Sequence, residues 1–221
     1  TAFAAPAAAI GKPITFKRED WGADERLRFD SSGEVWPRAY VPTKKLVVHH
    51  TATTNGYTTV EQAKAQVRAV YTYHATTQGW GDIGYNCIVD KFGNSYEGRR
   101  GRDGPGYDGP GGREILSEDV VAGHALQYNY GSSGIALLGT FCSPAECAGA
   151  APSASMISKL REVLAWECRQ HGIEKLVPQP RSLGRSFDES GDIGDHETAV
   201  DSDPRHPEMR MQSGKRVVGY L

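Results

Sequence analysis

The chain has 221 residues, 38% of them hydrophobic, with 25 Lys and Arg against 27 Asp and Glu for a net charge of −2. That size and apolar content suit one domain with a sizeable core. The scattered, nearly balanced charge excludes the basic footprint of a nucleic-acid binder, so no nucleic-acid partner is expected. No apolar run approaches the roughly 20 residues that span a bilayer.

The opening TAFAAPAAAIG is small and apolar and lacks an initiator Met. It reads as the mature start of a secreted chain, so residues 1–17 are expected to be a tail ahead of a domain over residues 18–221. Four cysteines fit an oxidising compartment. Cys142 and Cys147 bracket a turn-like SPAE and are expected to form a disulfide. Cys87 falls on a predicted strand and Cys168 on a predicted helix, which leaves open a bridge across the core or two buried thiols. None of the four has CxxC spacing, which argues against a four-cysteine zinc site.

Residues 14–45 are polar, with Trp21 and Trp36 as apolar anchors and Pro37 and Pro42 as breakers, and read as an irregular wrapping segment. Residues 46–50, LVVHH, form a short buried strand that delivers His49 and His50 at its end. Residues 58–76 carry Val60, Ala63, Val67, Val70 and Tyr71 at helical spacing, capped by Thr58 or Thr59 with Glu61 in the first turn. GWGDIGYN then leads into a strand at 85–90, and KFGN turns it into a second at 95–98. Residues 99–122, rich in glycine with Pro105 and Pro110, read as a long surface loop able to rim a groove. Another strand follows at 133–140. A helix at 153–171, with Met156, Leu160, Val163, Leu164 and Ala165 on its core face, ends at Gly172. Residues 178–214 are polar and loop-like and hold His196, His206 and several aspartates. There is no internal repeat.

A hydrolytic zinc site needs about three imidazole or carboxylate ligands and an open position for water. Alternation sends His49 and His50 to opposite faces of their strand, so only one of them can serve a given site. No HExxH helix is present, which weakens the case for a peptide-cutting zinc hydrolase of another kind.

HHTAT at 49–53, GWGDIGYN at 79–86, YEGR at 96–99, GHALQYNYGSSGIALLGTF at 123–141 and LAWECRQHGI at 164–173 occur in one order, after REDWGA at 18–23. Together they resemble the type 2 N-acetylmuramoyl-L-alanine amidases, a family that includes the peptidoglycan recognition proteins, over roughly residues 18–207. The resemblance implies an α/β fold, a single mixed β-sheet flanked by helices, with zinc in a groove. It places the first zinc ligand at His49 and leaves His50 facing away in a structural or supporting role. Tyr85 matches the tyrosine beside the metal, where a phenol can donate to an oxyanion.

In GDHETAVDSDPRHP, His196 matches the second ligand and Asp203, directly before Pro204, the third; a carboxylate closes such a site at about 2.0–2.2 Å. The spacing departs from the family pattern, and Asp201 and His206 are rivals for the third place. Asp201 also stands where the family usually has Lys or Thr, two residues before that ligand. There it can accept a proton but supplies neither positive charge nor a hydroxyl. His74 and His124 match groove positions that contact substrate.

The implied chemistry is zinc-dependent hydrolysis of the amide between N-acetylmuramic acid and L-alanine in peptidoglycan, with Tyr85 at the oxyanion and Asp201 or Glu197 returning the proton. The alternative is a recognition module of the same fold that binds peptidoglycan without cutting it. Polymer or fragment preference, stem-peptide specificity and oligomeric state are not encoded in any motif of this chain.

Overall fold

The computed structural model describes residues 13–101, 118–142 and 150–173. The wrapping segment is built of short pieces: α1 (Arg18–Trp21), a 3-10 turn over Glu25–Arg28, a two-stranded ribbon of β1 (Phe29–Asp30) and β2 (Gly33–Glu34), and β3 (Tyr40–Pro42). Trp21 is fully buried and Trp36 nearly so, as anchors should be. The segment joins the fold before residue 18: Thr15 and Phe16 donate backbone N–H groups to the Ser95 carbonyl, and Phe16 bridges to Tyr96.

The main sheet follows. β4 (Lys45–His50) is the predicted strand, and α2 (Val60–Thr72) is the predicted helix, capped by Thr59, whose side chain accepts from the Gln62 N–H. The hairpin is β5 (Cys87–Val89) and β6 (Ser95–Glu97). β7 (Glu118–Val120) pairs with β3, β8 is Ser132–Leu137, and α3 is Ala154–His171. Strand order is β4-β8-β5-β6, with β8 parallel to both neighbours and β6 antiparallel to β5.

Period-two alternation in these strands sorts the core into two layers. Ile88, Tyr96, Ala136 and Leu138 pack with Ala63, Val67, Val70 and Tyr71 of α2. Cys87, Val89, Ile135 and Leu137 pack with Met156, Leu160 and Val163 of α3. The sheet is therefore mixed and flanked by helices on both faces, as expected.

Two expectations are corrected. The segment 99–122 is not loop to its end: Val120, Val121 and Ala122 are buried, and β7 closes it; residues 102–117 lie outside the described residues. On α3, Ala165 is exposed and Trp166 and Glu167 are buried instead, because Met156, Leu160, Val163 and Glu167 follow the 3.6-residue period more closely. Gly172 ends this helix in the left-handed conformation with φ 62°, as foreseen. Cys87 and Cys168 are thiols and are not bridged to each other. The Cys142–Cys147 pairing involves Cys147, which lies outside the described residues.

The N-terminal entry is held to β6 by Glu97. Its Oε2 accepts from the Arg18 N–H, its carbonyl accepts from Trp21 Nε1, and its Oε1 is buried without a partner among the described residues. Burial pushes this carboxyl from its ordinary 4.5 up to about 7, against the pull of the Arg18 backbone N–H and charge. A carboxyl raised in the fold binds more protons folded than unfolded between those values. Its contribution is therefore fully favourable below pH ~4.5 and is lost as pH rises through ~7. Relative to wild type, Glu97→Gln should gain stability as pH is raised from 5 to 8, by up to about 3 kcal/mol. Urea denaturation of both proteins across that range reads it; a constant difference would show that Glu97 ionises freely in the fold.

Candidate functional site

β4 is the frame of the site. Leu46 and Val48 pack towards α3, so by alternation His49 points to the α2 face and His50 to the other. His50 is used structurally: its Nδ1 accepts from the Phe141 N–H at 2.9 Å. His49 Nε2 lies 3.0 Å from His124 Nδ1, and its ring centroid is 5.8 Å from that of Tyr85. His124 enters from the turn before β8 and lies directly on Gly134, where an added Cβ would sit 2.3 Å from the imidazole Cγ. Only glycine lets the ring approach the sheet that closely.

Tyr85 arrives on the segment before β5. The Arg99 N–H donates to its carbonyl, and the Gly123 N–H to that of Gly84. Gly98 passes so close that a Cβ there would be 2.0 Å from the Tyr85 carbonyl oxygen. His74 sits where α2 widens into a five-residue π turn, Tyr73–Thr77, a distortion that shifts side chains off the regular helical face. The Gly84 N–H donates to its Nδ1 at 3.1 Å, and its ring stacks on Trp80 with centroids 4.8 Å apart, 5.6 Å from Tyr85. The structure thus gathers His49, His74, Tyr85 and His124 at one end of the sheet.

Burial sets the electrostatics of this group. It pushes His49 down to about 4, with His50 adding to the shift, and His74 down to about 4 against the attraction of Asp82. His124 is pushed to about 3 by burial and by His49. All three imidazoles are neutral at physiological pH, and neutral imidazole is the form that ligates metals. The Tyr85 hydroxyl is raised to about 12 by burial and stays protonated as a donor.

One metal donor fits. His49 is half-buried, and among the described residues its ring is hydrogen-bonded only through Nε2, which leaves Nδ1 as the nitrogen open to a metal. Among the described residues no group of three His, Cys, Asp or Glu side chains is assembled to hold a metal. His196, Asp203, Asp201, His206 and Glu197 lie outside the described residues.

Not legible in the sequence alone were the roles of Ser132, 3.2 Å from His124 Nε2, and of Asp82, the aspartate of GWGDIGYN and a buried charge hub. The adjacent small residues of GSSG mark a close approach at 131–134, yet their partner is known only once the turn is folded.

The N-acetylmuramoyl-L-alanine amidase family matches residues 39–206. The chain is 35% identical over 134 residues to peptidoglycan-recognition protein SC2 of Drosophila simulans, covering 61% of this chain and 59% of that protein. It is 30% identical over 125 residues to the human N-acetylmuramoyl-L-alanine amidase, covering 56% of this chain and 18% of that protein. Less than two thirds of either relative is therefore spanned. The fold is similar to that of peptidoglycan recognition protein LE solved in complex with tracheal cytotoxin, a monomeric diaminopimelic acid-type peptidoglycan. That match has a TM-score of 0.54 and 27% identity, over 74% of this chain and 78% of that one.

Proposed function

Because the chain belongs to the N-acetylmuramoyl-L-alanine amidase family, matched over residues 39–206, we propose that it is a secreted, zinc-dependent amidase. It hydrolyses the amide between N-acetylmuramic acid and L-alanine in peptidoglycan. The observation that carries this reading is the junction of His49, His74, Tyr85 and His124 at one end of the sheet, three neutral imidazoles and a protonated phenol. Peptidoglycan as substrate is supported by the LE structure, whose ligand is a peptidoglycan fragment. No described helix is long and apolar enough to cross a membrane.

Bound zinc supplies Lewis acidity, polarising a carbonyl and lowering the pKa of a coordinated water towards 7. His49 offers one neutral nitrogen, and His196 and Asp203 complete the set, with Asp201 and His206 as rivals of Asp203. Tyr85 donates its O–H to the oxyanion that forms when the lactyl amide carbonyl is attacked. His74, whose Nδ1 is occupied by the Gly84 N–H, presents Nε2–H to the substrate as a neutral donor. Asp201 or Glu197 accepts the proton released by the attacking water and returns it to the departing amine of L-alanine.

A second reading, a module that binds peptidoglycan uncut, is favoured by the recognition proteins among the relatives. Metal analysis beside His196→Ala and Asp203→Ala separates the two. The amidase reading expects about one zinc per chain in the wild type and loss of it in each variant. Zinc retained by Asp203→Ala transfers the third place to Asp201 or His206. A zinc-free wild type that binds muropeptide is a receptor.

A further inference from the structure

The hydrogen bonds behind His49 decide which of its nitrogens faces the groove. Ser132 Oγ lies 2.6 Å from the Tyr128 carbonyl and 3.1 Å from that of Asn129, both of which only accept. The single hydroxyl proton is therefore committed to the backbone, and the oxygen, 3.2 Å from His124 Nε2, must accept from that ring. His124 carries its proton on Nε2 in consequence, and its Nδ1 holds a lone pair. His49 Nε2, 3.0 Å from that lone pair, must then be the donor.

We infer that Ser132 and His124 form a relay that holds the proton of His49 on Nε2 and leaves Nδ1 as the one nitrogen His49 can offer a metal. Both are positioning residues: neither needs to touch substrate, and each acts through His49. The relay is built into the fold rather than imposed by a ligand. His124 is pressed between Gly134 and the turn that carries Ser132, with 3% of its surface exposed. His49 cannot use Nε2 for a metal without breaking its bond to His124. Partners of this kind fix both the tautomer and the ring orientation of a metal-ligating histidine. The metal half of this inference rests on the zinc-amidase reading; the tautomer half does not.

The test uses the full chain labelled with 15N-histidine and freed of metal. Two-bond proton–nitrogen NMR correlations distinguish a protonated ring nitrogen from a bare one. The expected spectrum has His49 and His124 both protonated on Nε2 and bare at Nδ1, and added zinc perturbs Nδ1 of His49. His124→Phe keeps a ring over Gly134 but removes the acceptor. It should let His49 populate both tautomers and weaken zinc binding about ten- to a hundredfold. His124→Gln, whose amide oxygen can accept from Nε2–H, should restore much of that affinity, which a purely packing role would not predict. Should His124→Phe fail to fold, Ser132→Ala tests the first link: His124 is expected to lose its single tautomer.

A wild-type His49 protonated on Nδ1 overturns the relay, and so does unchanged zinc affinity in a folded His124→Phe. A wild type that takes up no zinc overturns the amidase reading instead, and the metal-free spectrum keeps the two failures apart.

Discussion

Tyr85→Phe is expected to lower kcat about 10²- to 10³-fold while leaving fold and zinc content unchanged, the loss that follows removal of one oxyanion donor. That corresponds to about 2.7–4 kcal/mol of transition-state stabilisation. The geometry favours a clean deletion. The Tyr85 ring packs against the core layer under α2, so phenylalanine keeps the packing and removes only the hydroxyl. Burial holds that hydroxyl protonated, at about 12, and no hydrogen bond to a described residue uses it. Its ring lies beside His49 and His74, where the substrate carbonyl must be attacked if His49 is a zinc ligand. Release of free stem peptide under saturating muropeptide, with zinc stoichiometry measured on the same sample, reads the effect. A change of kcat smaller than about tenfold would remove Tyr85 from the oxyanion role.

Asp82→Asn is expected to cost about 3–5 kcal/mol of stability, the loss found when one partner of a buried ion pair is deleted. Asp82 is 1% exposed and stands among three buried arginines. Arg18 Nη1 is 3.0 Å from Oδ1, and Arg99 Nη1 and Arg28 Nε are 3.4 and 3.5 Å from Oδ2. The backbone N–H groups of Ile83 and Arg100 also donate to it. Burial alone would lower Arg18, yet Asp82 and Glu25 hold it above its ordinary range. Arg99, stacked 3.4 Å over Trp36, is pushed by burial to about 10 despite Asp82. Asparagine would leave three guanidinium groups in the interior with their central counter-charge gone, and its amide would turn donors towards donors. A lower urea midpoint with an unchanged m-value is the expected signature. A loss below about 1 kcal/mol would mean that Glu25 and Glu34 neutralise the cluster without Asp82.

These two residues also show what the sequence disclosed. Tyr85 and His49 were legible because both sit inside an ordered set of short family motifs; alternation alone said only that one of two adjacent histidines faces a groove. The helices were legible for local reasons: Thr59 and Ser153 cap them, and apolar residues recur at three and four. Asp82 as a charge hub was not legible, since its arginine partners come from positions 18, 28 and 99. Along the chain those look like ordinary polar surface in a wrapping segment and at a loop start. The same limit applies to Ser132 and Gly134. Each matters through a contact with His124, and a small residue carries no sign of which ring will lie on it. The burial of Val120–Ala122 was masked by the glycine-rich composition before them.

The central claim is that this chain cuts peptidoglycan at the lactyl amide, and mass spectrometry of a purified muropeptide after incubation with the zinc-replete protein tests it most directly. The account predicts free stem peptide beginning with L-alanine and peptide-free glycan, abolished by a chelator and restored by added zinc. Muropeptide that is bound by the zinc-replete protein and recovered intact would contradict it and make the chain a receptor.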